Sequence, residues 1–365
     1  GSVIYVRYQP FQVETHREVR PAQVHANGRS RVELSVRNVD GRRSPVLSAR
    51  DPFDGGRRWA RFSVAPLAPG ETVRAAYRLP TSERGIFPLG PLLIGLTDPF
   101  GLAQRTTQAA PVATLTVFPR IDSVRPLAAT RGADPRGSTG RPAVATGGED
   151  FYALRPYQTG DDLRRVHWSS TARHDELMIR QSELPAHGRM TVLADLRSMA
   201  HSPESLELTL SAVASIIHAG WRDHRQVRMV ATDGSDTGFG SSAAHLQAIL
   251  EYLAAADVHA GGNLPSMLAA LDRHGMGGGI AVVTTDQLGD DVLVSLNRLS
   301  TRFGLVTLVL IERSAWEPGT TRRPSRAVPG GVRLVRVTAE ADFPAAWDRV
   351  VLASSRRLPA SLVDR

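Results

Sequence analysis

Most of the side chains that could do chemistry lie in one charged segment, residues 148–188, which we call the signature block. Arginines and aspartates are interspersed there with a histidine, a tryptophan and a tyrosine. Guanidinium and carboxylate groups form bidentate hydrogen-bonded pairs, and a histidine exchanges protons near neutral pH. The candidate residues are Arg155, Tyr157, Asp161, Asp162, Arg164, Arg165, His167, Trp168, Arg173 and Arg180.

These residues admit three interpretations. In the structural one, paired carboxylates and guanidiniums fasten a linker to a neighbouring sheet, with Trp168 as an apolar anchor and His167 as a buried neutral group. In the second, exposed arginine and tryptophan bind a partner protein, since both residue types are favoured at interfaces. In the third, His167 is a general base oriented by Asp161 or Asp162, and an arginine neutralises an anionic intermediate.

Composition and motifs narrow the chemistry. The chain has no cysteine, which excludes disulfides, thiolate nucleophiles and cysteine-ligated zinc. It contains no Gly-x-Ser-x-Gly elbow, no phosphate-binding loop and no His-Glu-x-x-His motif. Aromatic residues make up only 6% of the chain and no nucleic-acid reader motif occurs, so nucleic-acid binding is not expected. No catalytic residue is assigned, and we expect a protein that is not an enzyme.

The hydrophobic periodicity changes along the chain and predicts two folded parts. Before about Pro119, short alternating strands broken by turn residues predict an antiparallel, immunoglobulin-like β-sandwich. After the signature block, apolar strands alternate with helices, which is typical of a doubly wound α/β sheet. The predicted parts are a β-sandwich over residues 1–120, a Gly/Pro/Arg-rich linker over 121–147, the signature block over 148–188 and an α/β domain over 189–365.

Within the α/β part, a helix is predicted from Ser202, because a serine N-cap, a first-turn proline and an apolar stripe ending at Trp221 follow one another. Further helices are predicted over 243–256, from Leu264, over 290–302 and over 344–354. Strands are predicted over 190–194, 227–231, 280–284, 305–311 and 332–337. The first of these strands ends directly before Asp195.

The charge of the chain is unevenly distributed. All 44 basic residues are arginine, which we attribute to a GC-rich genome, and the formal net charge is +8. The whole positive excess precedes Gly188, so only that half has a reason to seek anionic surfaces. No apolar run is long enough to span a bilayer. The opening Gly1-Ser2 has the form left by tag cleavage in front of a truncated natural sequence.

The signature block identifies a family resemblance. A phenylalanine-led segment, an arginine and tyrosine pair, a glycine with two aspartates, and an arginine, histidine and tryptophan follow in order, as in the bacterial family called domain of unknown function 58. This resemblance implies an N-terminal β-domain and two transmembrane helices upstream of it. It also implies a working link with MoxR-type AAA+ ATPases. The expected protein is therefore a membrane-anchored bacterial protein whose remaining part faces the cytoplasm.

The order of the α/β elements resembles a von Willebrand factor A domain, which implies a Mg²⁺ site at the carboxyl edge of the sheet. Such domains use an Asp-x-Ser-x-Ser loop, a threonine from a later loop and an aspartate that closes another strand, because hard cations prefer oxygen ligands. Here Arg197 and Met199 stand at the two serine positions, and Asn263 stands at the threonine position. The retained candidates for this degenerate site are Asp195, Ser198 and Asp286. An arginine in the loop could pair with Asp195 and replace the cation.

The resulting expectation is a non-enzymatic, membrane-associated adaptor. It works with a MoxR-type AAA+ ATPase in assembling or remodelling complexes of the cell envelope, at the inner membrane and without a required cofactor. The alternative is a hydrolase at the cell envelope that depends on Mg²⁺ or on a His/Asp pair.

Overall fold

The computed structural model describes residues 11–97, 104–127, 153–156, 178–181, 188–274, 277–317 and 327–355. The chain divides into two compact units. The first comprises Gly1–Ile121 and Gln247–Asp257, and the second comprises Asp122–Leu246 and Val258–Arg365. Among the described helices, none combines the length and the apolar character needed to cross a membrane.

The first unit contains a multi-strand β region in two sheets. Its strands are β1 (Val13–Arg20), β2 (Gln23–His25), β3 (Arg31–Asn38), β4 (Leu47–Phe53), β5 (Arg58–Val64), β6 (Thr72–Arg78), β7 (Gly85–Leu89), β8 (Leu92–Thr97), β9 (Gln104–Ala110) and β10 (Ala113–Phe118). One sheet has the order β1-β3-β6, and the other has the order β2-β10-β7-β4-β8-β9, with β5 paired to β4. The predicted β-sandwich-like N-terminal region is confirmed.

The strand pairing differs from the prediction in one place. All described pairs of this unit are antiparallel except β2 with β10, which is parallel. Strand β2 has only three residues, too few for an alternating pattern to be read from the sequence. The prediction of a wholly antiparallel sandwich is therefore wrong at this edge.

Alternation of apolar and polar residues builds the core of the β region. In β3, Val32, Leu34 and Val36 are buried, and the residues between them point away from the core. Strand β4 buries Leu47 and Ala49 in the same cluster as Leu34 and Val36. Each fully buried aliphatic side chain of the Val/Leu type stabilises the fold by roughly 1.5–3 kcal/mol. The two sheets are thus held by the period-two pattern seen in the sequence.

Two short strands of the signature block form a separate antiparallel pair. Strand β11 (Ala153–Pro156) pairs with β12 (Met178–Gln181). Arg155 lies opposite Ile179, and Arg180 lies opposite Leu154 in this ladder.

The second unit contains a five-stranded parallel sheet. Its strands are β13 (Arg189–Ala194), β14 (Gln226–Ala231), β15 (Gly279–Thr285), β16 (Leu305–Ile311) and β17 (Val332–Val337), in the order β14-β13-β15-β16-β17. Its helices are α1 (Pro203–Arg222), α3 (Leu264–His274), α4 (Asp290–Leu299) and α5 (Phe343–Ser355). Helix α2 (Ala243–Ala255) begins in this unit, and its residues from Gln247 onward belong to the first unit. The predicted C-terminal α/β region with parallel strands is confirmed. The order reverses between β13 and β15, and ligand sites of such sheets lie at the carboxyl ends beside that point.

The helix predicted from Ser202 is present and begins as expected. The Ser202 side chain accepts a hydrogen bond from the Ser205 backbone N–H, and the Ser205 hydroxyl accepts one from the Ser202 N–H. This reciprocal capping satisfies two backbone donors at the helix start. Leu206, Leu210 and Val213 are buried on one face of the helix. Helix α1 thereby fixes the loop that leads into it from β13.

Residues 122–127 precede the signature block and pack within the second unit. The Asp122 N–H donates to the Ser215 hydroxyl of α1 at 2.9 Å. The indole N–H of Trp347 in α5 donates to the Arg125 carbonyl at 2.8 Å, and the Arg125 N–H donates to the Asp348 carboxylate at 2.9 Å. The first residues of the predicted linker are therefore tied to two helices.

Candidate functional site

The carboxyl edge of the parallel sheet brings Asp195 and Thr284 together. Asp195 follows β13 directly, and Ala194 lies opposite Val283 in the neighbouring strand β15, so Thr284 comes next to Asp195. The Asp195 side chain is fully buried. Its Oδ2 accepts a hydrogen bond from the Thr284 hydroxyl at 2.7 Å. Parallel register thus places a donor against a carboxylate that water does not reach.

Arg197 supplies the remaining donors to the Asp195 carboxylate. Its Nε donates to Oδ1 at 2.9 Å, and its Nη2 donates to Oδ2 at 2.7 Å. The Arg197 backbone N–H also donates to Oδ1, at 3.2 Å. The Arg197 side chain is 12% exposed, and that of Asp195 is 0% exposed. Both carboxylate oxygens of Asp195 therefore accept hydrogen bonds from Arg197 in a bidentate ion pair. The two paired residues are only two positions apart in the sequence.

This pairing shifts the pKa of both groups. Burial raises the pKa of Asp195, but the hydrogen bonds from Arg197 and Thr284 and the Arg197 charge outweigh it, so the pKa lies below its ordinary value. Hydrogen bonding to Asp195 raises the pKa of Arg197, and the charge of Asp291 raises it further. At neutral pH the pair is therefore ionised on both sides, and Asp195 is not a proton acceptor.

Backbone contacts hold the loop that carries the pair. The Ser198 N–H donates to the His259 carbonyl, and the His259 N–H donates to the Leu196 carbonyl, both at 3.0 Å. The Leu196 N–H donates to the Thr232 hydroxyl at 2.8 Å. A Cβ at Gly262, whose φ is +108°, would come within 2.4 Å of the Thr232 carbonyl oxygen. The chain therefore needs glycine there to approach this closely.

The predicted metal-ligating residues do not form one oxygen-rich site. Ser198 is exposed and its backbone N–H is used by His259. Asp286 is half-buried after β15, where its charge raises the pKa of Arg313. Asn263 accepts a hydrogen bond from the Ser266 N–H at 3.0 Å, and so caps the start of α3. In the described part of the chain, no three His, Cys, Asp or Glu side chains are grouped as metal ligands.

The oxygens of Asp195 are already occupied and leave no place for Mg²⁺ at this edge of the sheet. A divalent cation needs the carboxylate oxygens that Arg197 and Thr284 occupy, and the guanidinium puts a positive charge where the cation would lie. The residues therefore do not fit Mg²⁺ as they are arranged. The predicted pairing of the loop arginine with Asp195 is present in the structure.

A buried histidine lies close to the pair and was missed in the sequence. His201 is 7% exposed, and its Nδ1 lies 3.5 Å from the Ser205 hydroxyl, which is fully buried. Burial lowers the pKa of His201, and the nearby Asp195 charge only partly opposes this. The imidazole is thus neutral at pH 7. Serine and histidine are residue types that can serve as nucleophile and base. Both side chains are buried in the protein interior, however, where a substrate does not reach them.

Further ion pairs continue along the same edge of the sheet. Arg313, two residues after β16, forms a bidentate pair with Glu317, with both nitrogen-oxygen distances at 2.7 Å. Glu312 is buried and pairs with Arg336 of β17 at 2.9 Å. Carboxylates that follow the strands are therefore repeatedly matched by arginines.

The loop also carries apolar surface. Met199, two residues after Arg197, is 74% exposed, and Val258, beside His259, is 37% exposed. We call Arg197, Met199 and Val258, together with the exposed Asp291 at the start of α4, the edge face. Methionine and arginine are enriched at protein interfaces, and the flexible methionine side chain adapts to a partner surface.

The structure brings together only some of the predicted residues. Asp195 and Arg197 are joined, whereas Ser198 and Asp286 have separate surroundings. Arg155 lies in strand β11, and Arg180 lies in strand β12. The rest of the signature-block candidates lie outside the described residues; they are Tyr157, Asp161, Asp162, Arg164, Arg165, His167, Trp168 and Arg173.

Asp195 and Arg197 form what we call the edge pair, and one of its two buried neighbours, Thr284 and His201, had a signal in the sequence. Thr284 is the next-to-last residue of β15, beside β13, so a parallel register predicts its contact with Asp195. His201 directly precedes the N-cap of α1, and only the tertiary fold buries it. The first could have been found by aligning strand ends, and the second could not.

Comparison with known proteins supports the family resemblance. Residues 153–317 match the family described as "Protein of unknown function DUF58". The family prediction is confirmed. No curated protein matches the chain.

Several solved structures are similar to part of the chain. The CARDB domain of the PF1109 protein from Pyrococcus furiosus is 18% identical over 30% of this chain and 96% of that domain, with a TM-score of 0.23. The putative ApaA protein from Bordetella pertussis is 16% identical over 30% of this chain and 96% of its own, with a TM-score of 0.23. A β-glucosidase from Listeria innocua is 16% identical over 30% of this chain and 16% of its own, with a TM-score of 0.20. Scores this low do not establish a shared fold.

Proposed function

We propose that this chain, whose residues 153–317 match the DUF58 family, is a non-enzymatic, membrane-associated adaptor of a MoxR-type AAA+ ATPase. Its role would be to help assemble or remodel complexes of the cell envelope. The ATPase would hydrolyse nucleotide, and this chain would supply a docking surface.

The observation that carries the proposal is the Asp195–Arg197 pair. A von Willebrand factor A-like reading of the α/β unit is supported by its parallel sheet and by an aspartate at the end of the first strand. If the unit is von Willebrand factor A-like, a cation at the carboxyl edge of the sheet would connect the domain to a partner. Here the guanidinium of Arg197 holds the two Asp195 oxygens instead. We infer that the edge binds its partner without a metal.

The edge face fits such a role in its composition. An exposed methionine, an exposed valine and an arginine with a neighbouring carboxylate offer apolar contact and directional hydrogen bonds. The arginine is held by Asp195, so little side-chain entropy is lost when a partner docks. This arrangement favours binding over catalysis, because the buried Asp195 carboxylate is committed to an internal pair.

Capture of the purified MoxR-type ATPase of the same organism tests the proposal. We expect the parent chain to retain the ATPase and Met199→Asp to weaken capture at least tenfold, because a charge would be desolvated in the interface. Leu352→Asp is the matched control. Leu352 is 41% exposed and lies about 13 Å along α5 from its first residue, away from the carboxyl edge.

Two outcomes would contradict this expectation. Equal loss in both variants would move the docking site away from the edge face. Arg164→Gln and Trp168→Ala, in the signature block, would then be the next variants to examine. No capture of the parent in any nucleotide state would refute the adaptor role.

The cellular placement is part of the proposal. A two-helix anchor upstream would return the chain to the cytoplasm, where the ATPase has its nucleotide. Protease added to intact cells should therefore leave this region uncut. Digestion from outside would contradict the proposed orientation.

A further inference from the structure

The three-stranded sheet of the β region places three arginines directly opposite one another. Arg20 of β1 lies opposite Arg31 of β3, and Arg31 lies opposite Arg78 of β6. Residues opposite each other in a sheet point to the same face. All three are exposed. We call Arg20, Arg31 and Arg78 the arginine row.

A cavity of about 490 Å³ lies at this row. The arginine row lines it, and a fourth arginine, Arg29, joins from the turn before β3. Leu79 contributes a buried apolar wall. A volume in this range suits a small ligand. The cavity therefore combines the size of a ligand site with four guanidinium groups.

The positive charge of the cavity is only partly balanced. Arg20 pairs with Glu18 and, at 3.7 Å, with Glu33, and the Nε of Arg31 donates to Glu33 at 2.8 Å. Within the described part of the chain, no ion pair is found for Arg29 or Arg78. Four arginines thus face two carboxylates. Like charges directly opposite each other destabilise a sheet, so the part of the row that Glu18 and Glu33 do not neutralise costs stability unless a further anion binds there.

The neutral polar groups of the cavity are already satisfied within the protein. The Ser30 hydroxyl donates to the Pro21 carbonyl at 2.9 Å, and the Thr81 hydroxyl donates to the Gly28 carbonyl at 2.6 Å. The cavity therefore offers a ligand mainly guanidinium N–H groups. These match the oxygens of a phosphate group, which they bind in pairs.

We propose that the arginine row and Arg29 form a binding site for a phosphate-bearing ligand. The bound group would be either the phosphate of a small soluble molecule or the phosphate of a lipid headgroup, since the recognition chemistry is the same. The proposal is independent of the ATPase-adaptor role, because it concerns the β region alone.

Calorimetric titration of the full chain with glycerol 3-phosphate and with pyrophosphate tests the soluble source. We expect saturable binding to the parent and at least a tenfold loss of affinity in Arg78→Gln, since a charge-assisted pair of hydrogen bonds is removed. No ion pair is found for Arg78 in the described part of the chain, so its replacement breaks no ion pair there.

Arg74→Gln is the matched control. Arg74 is an exposed arginine of the same strand and the same face, but it lies opposite Ser35 rather than another arginine. Its replacement removes the same charge from the chain and should leave binding unchanged. Equal loss in Arg74→Gln and Arg78→Gln would overturn the site, because the attraction would then be a general effect of net charge.

Cosedimentation with vesicles tests the lipid source. We expect vesicles with phosphatidic acid to bind the parent more strongly than Arg78→Gln, whereas phosphatidylcholine vesicles should not discriminate between them. Soluble binding without vesicle binding would assign a small molecule, and the reverse would assign a lipid. Neither soluble nor vesicle binding at low salt, where surface charges act most strongly, would overturn the proposal.

A stability measurement provides a second readout. Without ligand, Arg78→Gln should raise the melting temperature, because repulsion within the row is relieved. Added pyrophosphate should raise the melting temperature of the parent but not that of the variant. If the variant melts lower than the parent and both respond equally to pyrophosphate, the row is not the binding site.

Discussion

The two units each contain a buried aspartate paired with an arginine, and the two pairs differ in what surrounds them. In the β region, Arg17 donates to Asp51 at 2.7 Å, and the side chains are 2% and 0% exposed. In the α/β unit, Arg197 binds Asp195 beside a surface loop and remains 12% exposed. The first pair is enclosed by the sandwich, whereas the second meets solvent on its arginine side.

The other hydrogen-bond partners of Arg17 and Asp51 also lie inside the β region. The Tyr77 hydroxyl donates to Asp51 at 2.6 Å, and Arg17 also donates to the Leu89 carbonyl at 3.2 Å. Burial and the Asp51 charge raise the pKa of Tyr77 well above its ordinary value, so it remains a donor. All contacts of this pair are internal, which indicates a structural role. The edge pair instead leaves the guanidinium of Arg197 partly exposed to solvent.

The largest expected effect is a loss of stability when the buried Arg17–Asp51 pair is broken. Asp51→Asn should destabilise the β region by about 3–5 kcal/mol, because the Arg17 charge would stay buried without its counterion. Urea unfolding, with hydrogen exchange to assign the transition to β1 and β4, measures this. Asp54→Asn is the control, since Asp54 pairs with an 83% exposed Arg57, and it should have an effect of about 0.5 kcal/mol at most.

A smaller loss is expected at the edge pair. Arg197→Gln should destabilise the α/β unit by about 1–3 kcal/mol, because Asp195 keeps the Thr284 donor but loses the guanidinium. Arg302→Gln is the control; Arg302 pairs with Asp272 at 3.8 Å and its side chain is 54% exposed. If Arg197→Gln were as harmless as that control, the edge pair would not stabilise the loop.

The effect of Arg197→Gln should also depend on pH. The folded-state pKa of Asp195 lies below its ordinary value, so its contribution is present above about pH 4 and is lost as pH falls through the folded pKa. In the variant, buried Asp195 would bind a proton more readily. The stability difference between parent and variant should therefore shrink below about pH 4.

Asn263 tests whether the edge uses its polar residues as helix caps. Asn263→Ala should cost about 1 kcal/mol, because the Ser266 N–H at the start of α3 would lose its acceptor. The measurement is urea unfolding in buffers with and without Mg²⁺. A loss that appears only with Mg²⁺ would show that Asn263 is a ligand and contradict its assignment as a cap.

The smallest expected effect concerns His201. Burial holds its folded pKa below the ordinary value, so its contribution is full above about pH 6.5 and is lost as pH falls. His201→Gln should therefore flatten the stability curve between about pH 6.5 and 5. An unchanged slope in thermal melts across this window would contradict the assignment of a neutral buried imidazole.

Local patterns predicted the regular elements well. Strands β16 and β17 have the predicted bounds, because alternation or a short apolar run marks them in the sequence. Helix α4 ends at Leu299 rather than at the predicted 302, since the following residues form turns with i to i+3 hydrogen bonds. Such end effects depend on a few backbone contacts that periodicity does not encode.

The long-range pairings could not be predicted in this way. Arg17 and Asp51 are 34 residues apart, and their contact follows from how two sheets stack. The arginine row likewise depends on the register of three strands. By contrast, Arg197 and Asp195 are two residues apart, so their pairing could be anticipated from the loop alone. Pairings between residues close in sequence could therefore be predicted, whereas pairings between distant residues could not.

Calorimetric titration of Mg²⁺ into the parent and into Asp195→Asn tests whether the edge of the sheet binds a metal. We expect no saturable heat with either protein, because Arg197 and Thr284 occupy the Asp195 oxygens. Saturable heat with the parent that disappears in Asp195→Asn would show that a cation displaces the guanidinium, and would contradict a metal-independent edge.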